Sequence, residues 1–137
     1  DTRTQSLPSV LKDEEAAGRA IDIAIDCLGG SNLGECLPYV RYGCRWIVIA
    51  ALAGESTTVN LKNIYKKNIR IIGSTLRSRT PEMKAGILSN LVSEVWKKIA
   101  DGEIKPTVYK VLPITEAEEA QNILYRGENI GKVVLKV

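Results

Sequence analysis

The stretch IRIIGSTLRSRTPEMK, Ile69–Lys84, runs from an apolar segment straight into a helix start. Ile69, Ile71 and Ile72 are β-branched and suit a strand. Thr80 suits the N-cap of a helix and Pro81 its first position. Arg77 and Arg79 stand at the join. The carboxyl end of a parallel strand is where open α/β sheets place their ligands. A guanidinium there offers paired donors to a phosphate or a carbonyl. The alternative is that both arginines cover the helix start and face solvent. An arginine gains nothing from the positive N-terminal end of a helix, which favours a role beyond helix support.

Two similar units lie upstream. AIDIAIDCLGG, Ala20–Gly30, is an apolar run of strand length closed by two glycines. CRWIVIAALAG, Cys44–Gly54, is a second such run, also closed by Gly. Runs of this kind predict central parallel strands buried on both faces. SNLGECLPYV is a short helical link broken by Pro38, and LKNIYKKN is a short amphipathic helix with Leu61, Ile64 and Tyr65 on one face. Three parallel strands with helical crossovers make half of a doubly wound sheet. Small or Gly-rich residues at two strand ends and arginine at the third mark a candidate ligand edge; each glycine taken alone is equally a turn glycine.

Downstream, the spacing predicts a helix from Thr80 to Gly102. Met83, Ile87, Leu88, Leu91, Val92, Val95, Trp96 and Ile99 form one apolar stripe, expected in the core, and Gly102 is expected to end the helix. KPTVYKVLPI, Lys105–Ile114, predicts a strand with Pro near both ends. Thr115 and Glu118 have capping-box spacing for a helix to Tyr125. GKVVLKV, Gly131–Val137, predicts a last strand.

The 137 residues suit a modest core, and 45% hydrophobic with 26% charged residues is a soluble globular composition. A net charge of +3 is too small and scattered to argue for nucleic acid. The basic run Lys62, Lys66, Lys67 and Arg70 alternates with apolar residues, as a solvated face does. No apolar run has the length of a membrane span, and no signal-peptide pattern opens the chain. The opening DTRTQSLPSV has no initiator Met, so the chain is expected to be a fragment or a processed product. An odd cysteine count fits a reducing, cytoplasmic compartment. Cys27, Cys36 and Cys44 are too widely spaced for a paired zinc motif and the chain has no His, so no metal site is expected. Cys27 is expected as a small buried residue at a strand end. No catalytic residue stands out: packing is expected to explain Tyr39, Tyr42, Tyr65, Tyr109 and Tyr125.

DIAIDCLGG, IIGSTLRSR and ENIGKVVL together resemble the C-terminal part of the medium-chain dehydrogenase/reductases. The resemblance is to the zinc-independent NADPH:quinone oxidoreductase branch, the zeta-crystallin and tumour-suppressor-induced oxidoreductase type, and it covers nearly the whole chain in order. It implies the second half of a Rossmann doubly wound parallel sheet over residues 1–104. A strand–helix–strand segment, residues 105–137, would pack with a substrate domain outside this chain. The family's Gly-rich pyrophosphate loop is not in this sequence. The implied activity is reduction of quinones or α,β-unsaturated carbonyls by hydride transfer from NADPH. Implied cofactor positions are Leu28, Gly29 and Gly30; Ala50, Ala51 and Leu52; Ser74, Thr75 and Leu76; and Asn129, with Arg77 a further candidate at the third strand end. The implied partner is a second copy, paired through Ile69–Leu76. The competing reading is a non-catalytic interaction or regulatory module that kept a partial Rossmann fold.

Overall fold

The computed structural model describes residues 4–137. They form two compact units, one ending at Arg79 and the other spanning Thr80–Val137.

The first unit is a three-stranded parallel sheet with helical crossovers, a mixed α/β arrangement as expected. Its strands are β1 (Ile23–Asp26), β2 (Arg45–Val48) and β3 (Arg70–Gly73), in the order β1-β2-β3. The register sets Ala24 beside Trp46 and Ile71, and Ile25 beside Ile47 and Ile72. The strands are shorter than the apolar runs that contain them, because the ends of each run peel away into loops.

Helix α1 (Leu7–Ala16) precedes β1, with Pro8 in its first turn. Helix α2 (Ser31–Cys36) tightens at Pro38 into a turn over Leu37–Tyr39, as the broken link predicts. Helix α3 (Leu61–Lys67) is capped by the Asn60 side chain, which accepts from the Lys62 N–H at 3.0 Å. It ends at Asn68 in the left-handed region, φ +49°.

Burial is one-sided. Leu11, Leu33, Cys36, Leu37, Val40, Cys44, Trp46 and Ile69 form the core, with Ala24 and Val48 packed against it. Burying Trp46 or Leu37 contributes on the order of 2 kcal/mol each. The opposite face stays open: Ile23 is 48% and Ile25 71% exposed. The expectation of strands buried on both faces is therefore corrected. The same alternation corrects the reading of Cys27 as buried: it shares the side of Ile23 and Ile25 and is exposed. Lys67 ties the covered side together. Its ammonium donates to Glu15 Oε1 at 2.8 Å, to the Val40 carbonyl at 3.0 Å and to the Pro38 carbonyl, gathering α1, α3 and the turn after α2.

The second unit opens with α4 (Pro81–Leu91). It passes through a wider π turn at Val92–Trp96 into α5 (Lys97–Ala100). The Thr80 hydroxyl accepts from the Met83 N–H at 3.3 Å, and Gly102 closes the helix at φ +75°, both as expected. Its apolar stripe is not core. Met83, Ile87, Leu88, Leu91, Val92, Trp96 and Ile99 are all exposed, and neither buried cluster contains a residue of this helix. The 3.6-residue period reports that the stripe wants a cover, not that these residues supply one.

Next come β4 (Val108–Pro113), α6 (Ala117–Tyr125) and β5 (Lys132–Lys136). The two strands are parallel, with a register shift between Val108 and Lys110. Leu112, Ala120 and Ile123 are buried together. The capping box does not form. Residues Ile114–Glu116 make a tight turn instead, and α6 starts at Ala117 with no side-chain cap. Tyr42, Tyr65, Tyr109 and Tyr125 are exposed rather than packed; Tyr39 rests on the core. No helix among the described residues is long and apolar enough to cross a membrane.

Candidate ligand cleft at the strand ends

The sheet ladder of the first unit ends with Ile49 N–H bonding the Asp26 carbonyl at 2.8 Å and Ser74 N–H bonding the Val48 carbonyl at 2.9 Å. Beyond that point the chain segments after β2 and β3 border an open cleft of about 580 Å³. Val48, Ile49, Ala50, Ala51, Gly73, Ser74, Thr75, Ser78 and Arg79 line it. The structure thus brings together Ala50, Ala51, Ser74 and Thr75, four of the implied cofactor positions. Apolar side chains lie on the β2 side, and hydroxyls with one guanidinium lie on the β3 side.

Leu28, Gly29 and Gly30 are engaged differently. Gly30 N–H bonds the Gly54 carbonyl at 2.9 Å, Leu52 N–H the Cys27 carbonyl at 3.1 Å, and Ala53 N–H the Leu28 carbonyl at 2.7 Å. These bonds zip the loop after β1 onto the loop after β2. Gly29 has φ +62°, and a Cβ there would meet the Gly54 carbonyl oxygen at 2.9 Å. The glycine pair is thus explained by contact between two loops. Leu52 and Leu76 are 79% and 58% exposed. Asn129 belongs to the second unit, where its Nδ2 donates to the Gly131 carbonyl at 2.7 Å.

Asp26, which sequence reasoning passed over, anchors this edge. Its Oδ1 accepts from Leu28 N–H at 2.8 Å and Gly29 N–H at 2.9 Å, and its Oδ2 accepts from the Trp46 indole at 2.9 Å. Burial pushes its carboxyl upward. The Gly29, Trp46 and Leu28 donors outweigh that and hold it below the usual carboxylate range. The available signal was Asp at a strand end with Gly-Gly three and four residues on, an Asx-turn pattern.

The cysteines do not form a reactive set. Cys36 and Cys44 are buried, and burial pushes the Cys36 thiol up to about 11. Among the described residues no three His, Cys, Asp or Glu side chains converge on a point.

Comparison with known proteins adds three findings. Residues 2–135 match the family model described as zinc-binding dehydrogenase. Among curated proteins, a rat quinone oxidoreductase is 28% identical over 124 residues, which is 88% of this chain and 35% of the relative. A human synaptic vesicle membrane protein VAT-1 homolog-like protein is 27% identical over 138 residues, 88% of this chain and 33% of the relative. The chain therefore spans about a third of the length of the curated relatives it matches. Among solved structures, a Sinorhizobium meliloti putative alcohol dehydrogenase has 28% identity and TM-score 0.71, covering 98% of this chain and 35% of its own. The Thermus thermophilus quinone oxidoreductase, solved alone and with NADPH, shares the fold at TM-score 0.74 and 23% identity, covering 91% and 40%.

Proposed function

This chain belongs to the zinc-binding dehydrogenase family, and on that premise we propose that it forms the cofactor-cleft part of an NADPH-dependent oxidoreductase reducing quinones or α,β-unsaturated carbonyls. The observation that carries the reading is the cleft beyond β2 and β3, where strand ends, apolar side chains and hydroxyls meet. When bound, a reduced nicotinamide supplies the hydride. The chain's own residues supply orientation. Ala50 and Ala51 leave room for a flat ring beside the backbone. Ser74 and Thr75 offer hydroxyl and backbone groups to a carboxamide. Leu28, Gly29, Gly30, Leu52, Leu76, Arg77 and Asn129 complete the proposed set by family resemblance.

The zinc that the family's description implies does not fit these residues. Among the described residues no ligand set converges and the chain has no His, so no step is routed through a metal. The proposed partners are a small-molecule substrate and a second copy of the chain, in the cytoplasm. Supporting the second copy, β3 pairs only with β2 among the described residues, and its Ile71 and Ile72 are 42% and 40% exposed. The segment from residue 105 onward is proposed to pack with a substrate-binding part outside this chain.

The test is NADPH oxidation by the intact enzyme with a benzoquinone and with an enone. Turnover that depends on either acceptor is expected. An enzyme that oxidises alcohols but reduces neither acceptor would put the substrate class elsewhere in the family.

A further inference from the structure

We propose that Arg79 is a specificity-determining residue that binds an oxyanion in this cleft; the inference rests on reading the cleft as the nicotinamide site. Arg79 differs from its neighbours. Residues 75–78 are exposed, whereas Arg79 is half-buried and stands in the cleft wall. Its backbone N–H bonds the Leu76 carbonyl at 3.2 Å, closing a turn that carries the side chain back toward the end of β3. Its Nε then donates to the Thr75 carbonyl at 3.1 Å.

A guanidinium has five donors in a rigid planar fork. The turn uses the Nε donor. Among the described residues the Nη groups have no hydrogen-bond partner, and no carboxylate stands in the wall to neutralise the charge. The bond to Thr75 fixes the long side chain before any ligand arrives, so less rotamer freedom is lost on binding. The rest of the wall is uncharged. A cation set in such a wall, braced from behind and open in front, matches a group that presents two oxygens in one plane. A carboxylate or a phosphate meets that description. Two sources exist at such a site: a phosphate of the dinucleotide, and a carboxylate carried by the reducible substrate.

The test compares the intact wild-type enzyme with Arg79→Met and Arg79→Lys. Three quantities are measured: the Kd for NADPH by protein fluorescence, and the KM for a carboxylated enone and for its methyl ester. If the oxyanion is a cofactor phosphate, Arg79→Met raises the NADPH Kd about tenfold and leaves the acid-to-ester KM ratio alone. If it is the substrate carboxylate, the Kd holds and the KM rises about tenfold for the acid only. Arg79→Lys recovers part of either loss, because an ammonium keeps the charge without the fork. If Arg79→Met does not fold, Arg79→Lys and Arg79→Gln carry the same comparison.

A residue that only braces the turn would lower kcat for acid and ester alike and move neither the Kd nor the ratio, and that result overturns the proposal. A wild type that binds NADPH but reduces neither enone removes the proposed reaction while leaving the Kd to decide on Arg79. A wild type that does not bind NADPH overturns both.

Discussion

Replacing Gly131 with alanine is expected to destabilise the β4–α6–β5 unit by about 3 kcal/mol. Two effects add. Gly131 has φ +98°, a conformation that L side chains rarely adopt. A Cβ built there would also lie 2.3 Å from the Thr107 carbonyl oxygen. That oxygen is not free to retreat, because it accepts the Lys132 N–H at 2.8 Å at the entry to β5. Relief of the clash therefore breaks the bond that starts the strand. Gly127, in the same unit at φ +63°, separates the two effects, since nothing lies within 4 Å of its would-be Cβ. Gly127→Ala should cost only the backbone strain, about 1 kcal/mol. Urea unfolding of the intact protein measures both. Equal losses at the two positions would mean that the clash at Thr107 relaxes without cost.

Asp26→Ala is expected to cost about 3 kcal/mol near neutral pH. The substitution deprives the Trp46 indole and the Leu28 and Gly29 N–H groups of their shared acceptor. Trp46 is 3% exposed, so water does not readily replace the lost partner. The effect has a defined pH dependence. The folded-state carboxyl lies below its ordinary value of 3.8, so the ionised form is the one that folding favours. That stability is fully present above the ordinary value and is lost as pH falls through the lower folded value. The gap between wild type and Asp26→Ala should therefore be widest above about pH 5 and narrow in strong acid. Urea midpoints across that range measure it. A gap that stays constant into acid would show that Asp26 acts through packing rather than through its charge.

Much of the first unit was legible because its signals are local. Three apolar runs closed by Gly or by Ser-Thr gave three parallel strands, and Thr80, Pro81 and Gly102 marked the long helix at both ends. What misled was burial. Ile23, Ile25 and the stripe from Met83 to Ile99 have the period of buried faces and are exposed in the structure. Periodicity states that a face wants a cover, and is silent on which stretch of chain supplies it. Helix α1 lies outside the predicted elements although Ser6, Leu7, Pro8 and Leu11 have helix-start spacing, because it is mostly polar and buries one residue, Leu11. The Thr115–Glu118 box does not form because residues Ile114–Glu116 make a tight turn and the helix starts past Thr115, at Ala117.

At the site, Ala50, Ala51, Ser74 and Thr75 were legible as strand ends, since parallel topology alone brings such residues to one edge. At Gly29 and Gly30 the sequence predicts close approach by a ligand; the structure sets the facing loop against them. Asp26 and Arg79 act through bonds to backbone groups in their own loops. Nothing in residue type distinguishes those bonds from solvent exposure, and Arg77 and Arg79 look alike until the turn at residues 76–79 is built.

Amide hydrogen exchange of the intact protein, with and without NADPH, reports most directly on the cleft. NADPH is expected to slow exchange at residues 49–52 and 74–76, the segments beyond β2 and β3. Exchange along α1, whose Leu11 belongs to the core of the same unit, serves as the internal reference. NADPH that binds but leaves both strand-end segments unchanged would contradict the assignment of this cleft as the cofactor site.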